Sequence, residues 1–343
     1  MKDLNFLKNK SILITGGTGS IGSALVLRLI KTDCKVIRIM SNDENGLYEL
    51  SRELKLSSLA FDNFSKEMKK NKIRFFLGDV RDLNRCKEVS KEVDIVIHAA
   101  ALKHVSIVEY NPKEAFQTNV LGTKNMIQAS IKNKVSKFLL ISTDKVVSPS
   151  SHMGRTKAMA EKIILNENRK SLTKLSIIRF GNVLGSRGSV IPNFINLLNN
   201  NRDITVTDKR MVRFVMSINE AVDAVIKSIF LMKGKEIFIS KSMKCFRIFD
   251  LAQALVKYFQ KKKNYKNKIF ISNKYSGEKY EEELYSKNEI PFIMIKKNLF
   301  LISKVKVKKN NKSQKFLNKY RVSNYNFLSQ AQIISLLNKS KIL

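Results

Sequence analysis

Ser142-Thr143-Asp144-Lys145 sets two hydroxyls, a carboxylate and an amine in succession at the end of the strand-like run Phe138–Ser142. In open α/β sheets ligands bind at the carboxyl ends of the strands, so these groups are placed to meet a small molecule. Eight residues beyond Lys145 comes Met153-Gly154-Arg155-Thr156-Lys157, leading into a helix on which Met153 and Lys157, four apart, share a face. An acid beside a base, with a second amine on a helix that follows, points to proton transfer. Most Asp-Lys dipeptides are solvated surface pairs; the strand end argues against that here.

A second constellation supplies what such a site would work with. Thr15-Gly16-Gly17-Thr18-Gly19-Ser20-Ile21-Gly22 has the spacing G-x-x-G-x-x-G directly after a strand and at the start of a helix. Glycine permits the tight turn and the approach of backbone N–H groups to a pyrophosphate, and the helix N-terminus favours its negative charge. Gly16, Thr18, Gly19, Ser20, Ile21 and Gly22 are therefore expected to hold a dinucleotide, with proton transfer occurring beside its nicotinamide. About 20 residues on, where an acid usually meets the adenosine ribose, stands Ser41-Asn42-Asp43-Glu44. Asp43 there favours NAD, whereas an arginine would favour NADP; the choice stays open. Asp79 and Val80, at the end of another run, are expected near adenine, with a plain surface turn as the alternative. His98-Ala99-Ala100-Ala101 ends the next run, and the three alanines would admit the cofactor. His98 itself reads as a packed core histidine.

The elements that must position these groups follow from the apolar pattern. Ser11–Thr15, Lys35–Met40, Ile73–Leu77, Ile95–His98, Phe138–Ser142 and Ser176–Phe180 read as strands, with Ser23–Ile30 as the first helix. Helix-compatible segments between them allow parallel crossovers, so the fold class is α/β, a doubly wound parallel sheet of Rossmann type. After about residue 180 come a glycine-rich stretch, 181–188, a helix-like Asn219–Met232 and a Lys-rich tail. The expected division is a dinucleotide-binding domain over 1–235, with 181–206 contributing to the substrate lobe, and a smaller substrate-binding lobe over 236–343. The Lys304–Lys315 run reads as a polar loop.

Composition narrows the function classes. With 343 residues and 43% hydrophobic content the chain can bury a large core. Cys34, Cys86 and Cys245 are odd in number and widely spaced, which suggests neither a disulfide framework nor a metal site. No apolar run approaches the roughly 18 residues of a membrane span, and glycines interrupt the first apolar stretch; a soluble, cytoplasmic protein with no membrane partner is expected. The net charge of +35 arises from 64 Lys+Arg against 29 Asp+Glu. Alone it would suggest nucleic acid. The excess lies in Lys/Asn-rich stretches such as Lys261–Lys268 without aromatic interleaving, so no nucleic-acid partner is expected, and the positive field would serve phosphate-bearing ligands.

With these motifs in order, the chain resembles the extended short-chain dehydrogenases/reductases of the polysaccharide-biosynthesis type, the UDP-N-acetylglucosamine 4,6-dehydratases. The resemblance runs through Thr15–Gly22, Gly78–Asp82, His98–Asn119, Ser142–Lys145, Arg179–Val190, Thr205–Asp208, Met211–Met216 and Gly277-Glu278-Lys279. Most short-chain dehydrogenases carry Tyr-x-x-x-Lys where this chain has Met153 and Lys157, so it is similar to the branch in which methionine replaces tyrosine. It departs from that branch in two ways. The first strand begins near residue 11, so the N-terminal membrane region of some members is not expected here, and Asn42 stands where many NADP-using relatives have Arg.

The resemblance implies a lyase that converts a UDP-sugar to a 4-keto-6-deoxy product with a tightly bound, recycled NADP or NAD, in a homo-oligomer. It implies that Thr143 binds the oxygen on carbon 4, Asp144 is the acid for the departing carbon 6 hydroxyl, Lys145 the base for the carbon 5 proton, and Lys157 the holder of the nicotinamide ribose. Lys103, His104, Asn182, Arg187 and Arg213 match substrate-binding positions, the two arginines as diphosphate clamps. The role of Glu278 is open. Rival functions are a nucleotide-sugar 4-epimerase, a dehydratase that also inverts carbon 5, and a non-enzymatic basic nucleotide-binding scaffold.

Overall fold

A computed structural model describes residues 2–59, 72–167, 171–303 and 325–343. The Lys304–Lys315 run lies outside the described residues. In chain order the strands are β1 (Ser11–Thr15), β2 (Val36–Ser41), β3 (Ile73–Leu77), β4 (Ile95–His98), β5 (Lys137–Thr143), β6 (Lys174–Phe180), β7 (Asn182–Val183), β8 (Ile204–Val206), β9 (Val212–Met216), β10 (Ile237–Ser240), β11 (Lys244–Arg247), β12 (Ile269–Ile271), β13 (Ile293–Lys296) and β14 (Leu299–Ile302). Nine of them form one sheet in the order β13-β14-β10-β6-β5-β4-β1-β2-β3. From β3 across the sheet to β10 neighbouring strands pair parallel, while β14 pairs antiparallel with both β10 and β13. The sheet is doubly wound and Rossmann-like, as the sequence predicts.

Local chemistry accounts for these elements. Every residue of β1 and β2 is buried, the continuous apolar run expected of a parallel strand covered on both faces. β3, at the edge, is largely exposed. The β13–β14 hairpin turns on Lys297 and Asn298, both with positive φ, which matches the twist of a two-residue hairpin loop. The helix Ser20–Leu29 follows the glycine turn. The helix His152–Asn166 begins on Ser151, whose side chain accepts the Gly154 N–H at 3.1 Å. Ser217 and Glu220 form a capping box at the start of Ile218–Leu231.

The strand order reverses between β1 and β4, and that reversal opens the crevice in which such sheets bind ligands. The second layer has its own hydrophobic cluster, which includes Leu184, Phe194, Val215, Leu251, Leu255 and Leu337. Its small sheets are β11-β9-β7 and β12-β8. The expected boundary at residue 235 does not follow this architecture, because β10 and the β13–β14 hairpin return to the main sheet. Ile237, Phe238 and Ile239 are apolar enough to be buried beside β6, and the chain therefore crosses between layers more than once.

Candidate active site

A cleft of about 670 Å³ runs along the carboxyl ends of the main-sheet strands, a volume suited to a ligand of nucleotide size. Gly16, Thr18, Gly19, Ser20, Ile21, Gly22, Asp43, Asp79, Val80, Ala99, Ala100 and Ala101 all line it. Gly16 has φ +64°, and a Cβ there would lie 2.7 Å from the backbone of Ala100, so the turn is pressed directly against the end of β4. Gly19 is the N-cap of Ser20–Leu29 and provides no side-chain cap, which leaves that helix end without an internal partner for its first N–H groups. These features fit a pyrophosphate. Asp43 accepts the Gly46 N–H at 2.9 Å and so holds the start of the helix Glu44–Leu59 while it borders the cleft. Burial pushes the Asp79 carboxyl up, but Arg81, which donates to it at 2.7 Å, outweighs this and holds it below the usual carboxylate range. His98 is buried between the Thr15 and Thr123 hydroxyls at 2.7 and 3.1 Å, the core histidine that the sequence suggests. Burial, with Lys157 adding, lowers its pKa to about 3.

The groups expected to transfer protons lie around the end of β5. Thr143, Lys145, Met153 and Lys157 line the cleft. Asp144 does not: it has no exposed surface, and its Oδ1 accepts from the Thr143 hydroxyl and from Lys145 Nζ, each at 2.9 Å. Its Oδ2 is buried without a hydrogen-bond partner, a costly arrangement in a resting core and a common one at sites that exchange protons. Lys157 donates to the Ile141 carbonyl at 2.6 Å, and burial lowers its pKa to about 8. Met153 packs against Val108 and Ala115 and offers no group that could take a proton. A buried network carries this segment: Ser142 donates to Glu161 at 2.6 Å, while Arg179 pairs with Glu161 at 2.7 Å and Glu289 at 2.9 Å. Asn119, in a π-helical turn over Phe116–Leu121, ties the Leu102 backbone to Thr156 of the helix His152–Asn166.

Lys103, His104, Asn182 and Arg187 also border the cleft. Lys103 donates to the Arg187 carbonyl at 2.7 Å and the Arg187 N–H to the Ser20 hydroxyl at 2.9 Å, so the loop after β7 closes over the glycine turn. Arg213 departs from expectation. It sits in the fully buried β9, donates to the carbonyls of Val212 and Tyr280, and is not part of the cleft lining. Glu278 accepts the N–H of Tyr275 and closes its own turn. Sequence reasoning missed Glu282, which is buried with Oε1 at 3.7 Å from Lys145 Nζ. Its neighbours Glu281 and Glu283 are exposed, and nothing within the run of three glutamates singles Glu282 out in the sequence.

Known proteins share both the sequence and the shape. Residues 12–303 match the family described as polysaccharide biosynthesis protein. The chain belongs to that family. An uncharacterized membrane protein of Methanocaldococcus jannaschii is 43% identical over 332 residues, covering 93% of this chain and 95% of that one. A UDP-glucose 4-epimerase of Rickettsia bellii is 41% identical over 289 residues, covering 82% and 79%. Among solved structures, Pen from Bacillus thuringiensis superposes with a TM-score of 0.86 at 35% identity, covering 97% of this chain and 98% of that one. DesIV, a dTDP-glucose 4,6-dehydratase from Streptomyces venezuelae with NAD bound, shares the fold with a TM-score of 0.62 at 18% identity, covering 77% and 85%. This polysaccharide biosynthesis protein is thus an extended short-chain dehydrogenase/reductase, an enzyme of the epimerase and dehydratase group. Among the described residues no helix is long and apolar enough to cross a membrane.

Proposed function

We propose that this enzyme is a nucleotide-sugar 4,6-dehydratase acting on UDP-N-acetylglucosamine or a close UDP-hexose, with NAD or NADP held in the glycine-turn cleft. The observation that carries this reading is the hydrogen-bonded Thr143, Asp144 and Lys145 at the end of β5, two of which face the cleft beside Lys157. When bound, the dinucleotide supplies a hydride acceptor and later a donor. Gly16–Gly22 would hold its pyrophosphate, and Lys157 its nicotinamide ribose.

The chain's own groups account for every proton. Thr143 orients the oxygen on carbon 4 and passes its proton to Asp144, the carboxylate it already touches. The ketone at carbon 4 acidifies the hydrogen on carbon 5, which Lys145 removes as a proton. Asp144 returns its proton to the carbon 6 hydroxyl, which leaves as water. Lys145 gives its proton back to carbon 5 once carbon 6 has been reduced, so acid and base end as they began. Positioned acid–base groups contribute roughly 10²–10⁴-fold each.

The second reading is a 4-epimerase, favoured by the name carried by the Rickettsia bellii relative. Such a reaction has no use for a base at carbon 5 or an acid at the carbon 6 oxygen, so the Asp144-Lys145 pair supports elimination. Incubation with UDP-N-acetylglucosamine, followed by mass spectrometry, tests the proposal: the product should be lighter by one water. A product of unchanged mass would favour epimerisation.

A further inference from the structure

Lys145 touches more than its sequence neighbour. Its Nζ lies 2.9 Å from Asp144 Oδ1, 3.2 Å from Asn182 Oδ1 and 3.7 Å from Glu282 Oε1. Glu282 comes from a different part of the chain, is only 3% exposed, and leaves Oε2 without a hydrogen-bond partner. Lys279 Nζ approaches that oxygen at 3.9 Å while donating to the Val147 carbonyl at 2.7 Å. A carboxylate buried in this way, against a cation that lines the cleft, is expensive to maintain for packing alone.

We propose that Glu282 is a positioning residue of the elimination: it is the second carboxylate partner of Lys145 and, with Asp144 and Asn182, holds the Lys145 amine at the cleft wall where it takes the carbon 5 proton. The inference rests on the dehydratase reading for its chemistry and on the ion-pair geometry for its placement. In the step concerned, the electron pair of the carbon 5–hydrogen bond moves toward the carbon 4 ketone as the proton bonds to the Lys145 nitrogen. That nitrogen must carry a free pair at this moment, and nearby negative charge favours the ammonium instead.

Lys145 and Lys279 flank the Glu282 carboxylate, and the charges of Asp144 and Arg213 also act on it. Burial raises the proton affinity of Glu282, Lys145 opposes that rise, and the Asp144 charge adds to it.

Competitive acetylation of Lys145 with acetic anhydride across a pH series, read by peptide mass spectrometry on the protein as purified, reports when the amine is free without requiring turnover. In Glu282→Gln, which keeps the shape and removes the charge, the midpoint of Lys145 labelling should move to lower pH by about one unit, the low end of what an opposite charge at this range produces. Glu282→Asp keeps the charge but withdraws it from Lys145 by one methylene, and should move the midpoint in the same direction by less; this arm decides the matter if Glu282→Gln does not fold. Identical midpoints in wild type and the folded variants would overturn the proposal. Because labelling needs no reaction, that result would leave the dehydratase reading standing. Conversely, a shifted midpoint in a protein that releases no water would sink the dehydratase reading and keep the ion-pair assignment.

Discussion

The Thr143 hydroxyl donates to Asp144 Oδ1 at 2.9 Å, and Asp144 itself has no solvent-exposed surface. The carboxylate can therefore reach a ligand in the cleft only through Thr143 or Lys145, or after a small side-chain movement. Asp144→Asn should stop even the first hydride transfer, because the proton on the carbon 4 oxygen then has no acceptor. Lys145→Met should allow that transfer and block the elimination, by roughly 10²–10⁴-fold. Single-turnover absorbance of the reduced dinucleotide separates the two. Wild-type reduction in Asp144→Asn, or none in Lys145→Met, would contradict the proton route.

Met153 occupies the position of the usual tyrosine, yet it is buried against Val108 and Ala115. Met153→Leu changes shape by little and removes no proton acceptor, a swap that usually costs under about 1.5 kcal/mol of stability. The variant should retain more than about a tenth of wild-type kcat. Loss comparable to that of Asp144→Asn would mean that the thioether has a chemical role the geometry does not provide.

The two glycines of the turn should fail differently. A Cβ on Gly19 meets only the Gly16 carbonyl, at 3.3 Å, and φ is −69°, so Gly19→Val should fold and lose dinucleotide binding by calorimetry. A Cβ on Gly16 collides with the Ala100 backbone at positive φ. Gly16→Ala should therefore lower stability by at least about 1–3 kcal/mol, the scale of comparable backbone strain, before any ligand is added. Unchanged dinucleotide affinity in Gly19→Val would remove the site's main support.

His98 makes a prediction about pH. Burial places its folded pKa near 3, below its ordinary value of 6.5. Above pH 6.5 both folded and unfolded states hold it neutral, and its contribution to stability is complete; that contribution is lost progressively as pH falls from 6.5 toward about 3. Nitrogen-15 NMR of the imidazoles should show His98 neutral down to pH 5. Titration of His98 near 6.5 would show that it is not sealed between Thr15 and Thr123.

Most of the dinucleotide half was legible because its signals are local. The glycine spacing, the apolar run of β1 and the small residues after β4 each depend on neighbours within a few positions, and Thr143, Lys145, Met153 and Lys157 follow from one strand end and one helix start. Strand limits moved by at most two residues, as in β6, which begins at Lys174 instead of Ser176. Tertiary placement was less legible. Nothing in the tail's composition signals that β10, β13 and β14 extend the main sheet, since the hydrogen-bond partners that recruit them lie far away in sequence. Arg213 reads as a surface clamp until β9 is seen to be buried on every residue. Glu282, within a run of three glutamates, reads as a solvated face until the fold turns it toward Lys145.

The fate of the hydrogen on carbon 4 tests the proposed dehydration most directly. UDP-N-acetylglucosamine carrying deuterium at carbon 4 should be converted in ordinary water to a product with that deuterium in the carbon 6 methyl group, seen by proton and deuterium NMR. Deuterium recovered at carbon 4 of an inverted sugar, with the carbon 6 hydroxyl intact, would identify an epimerase and contradict the roles assigned to Asp144 and Lys145.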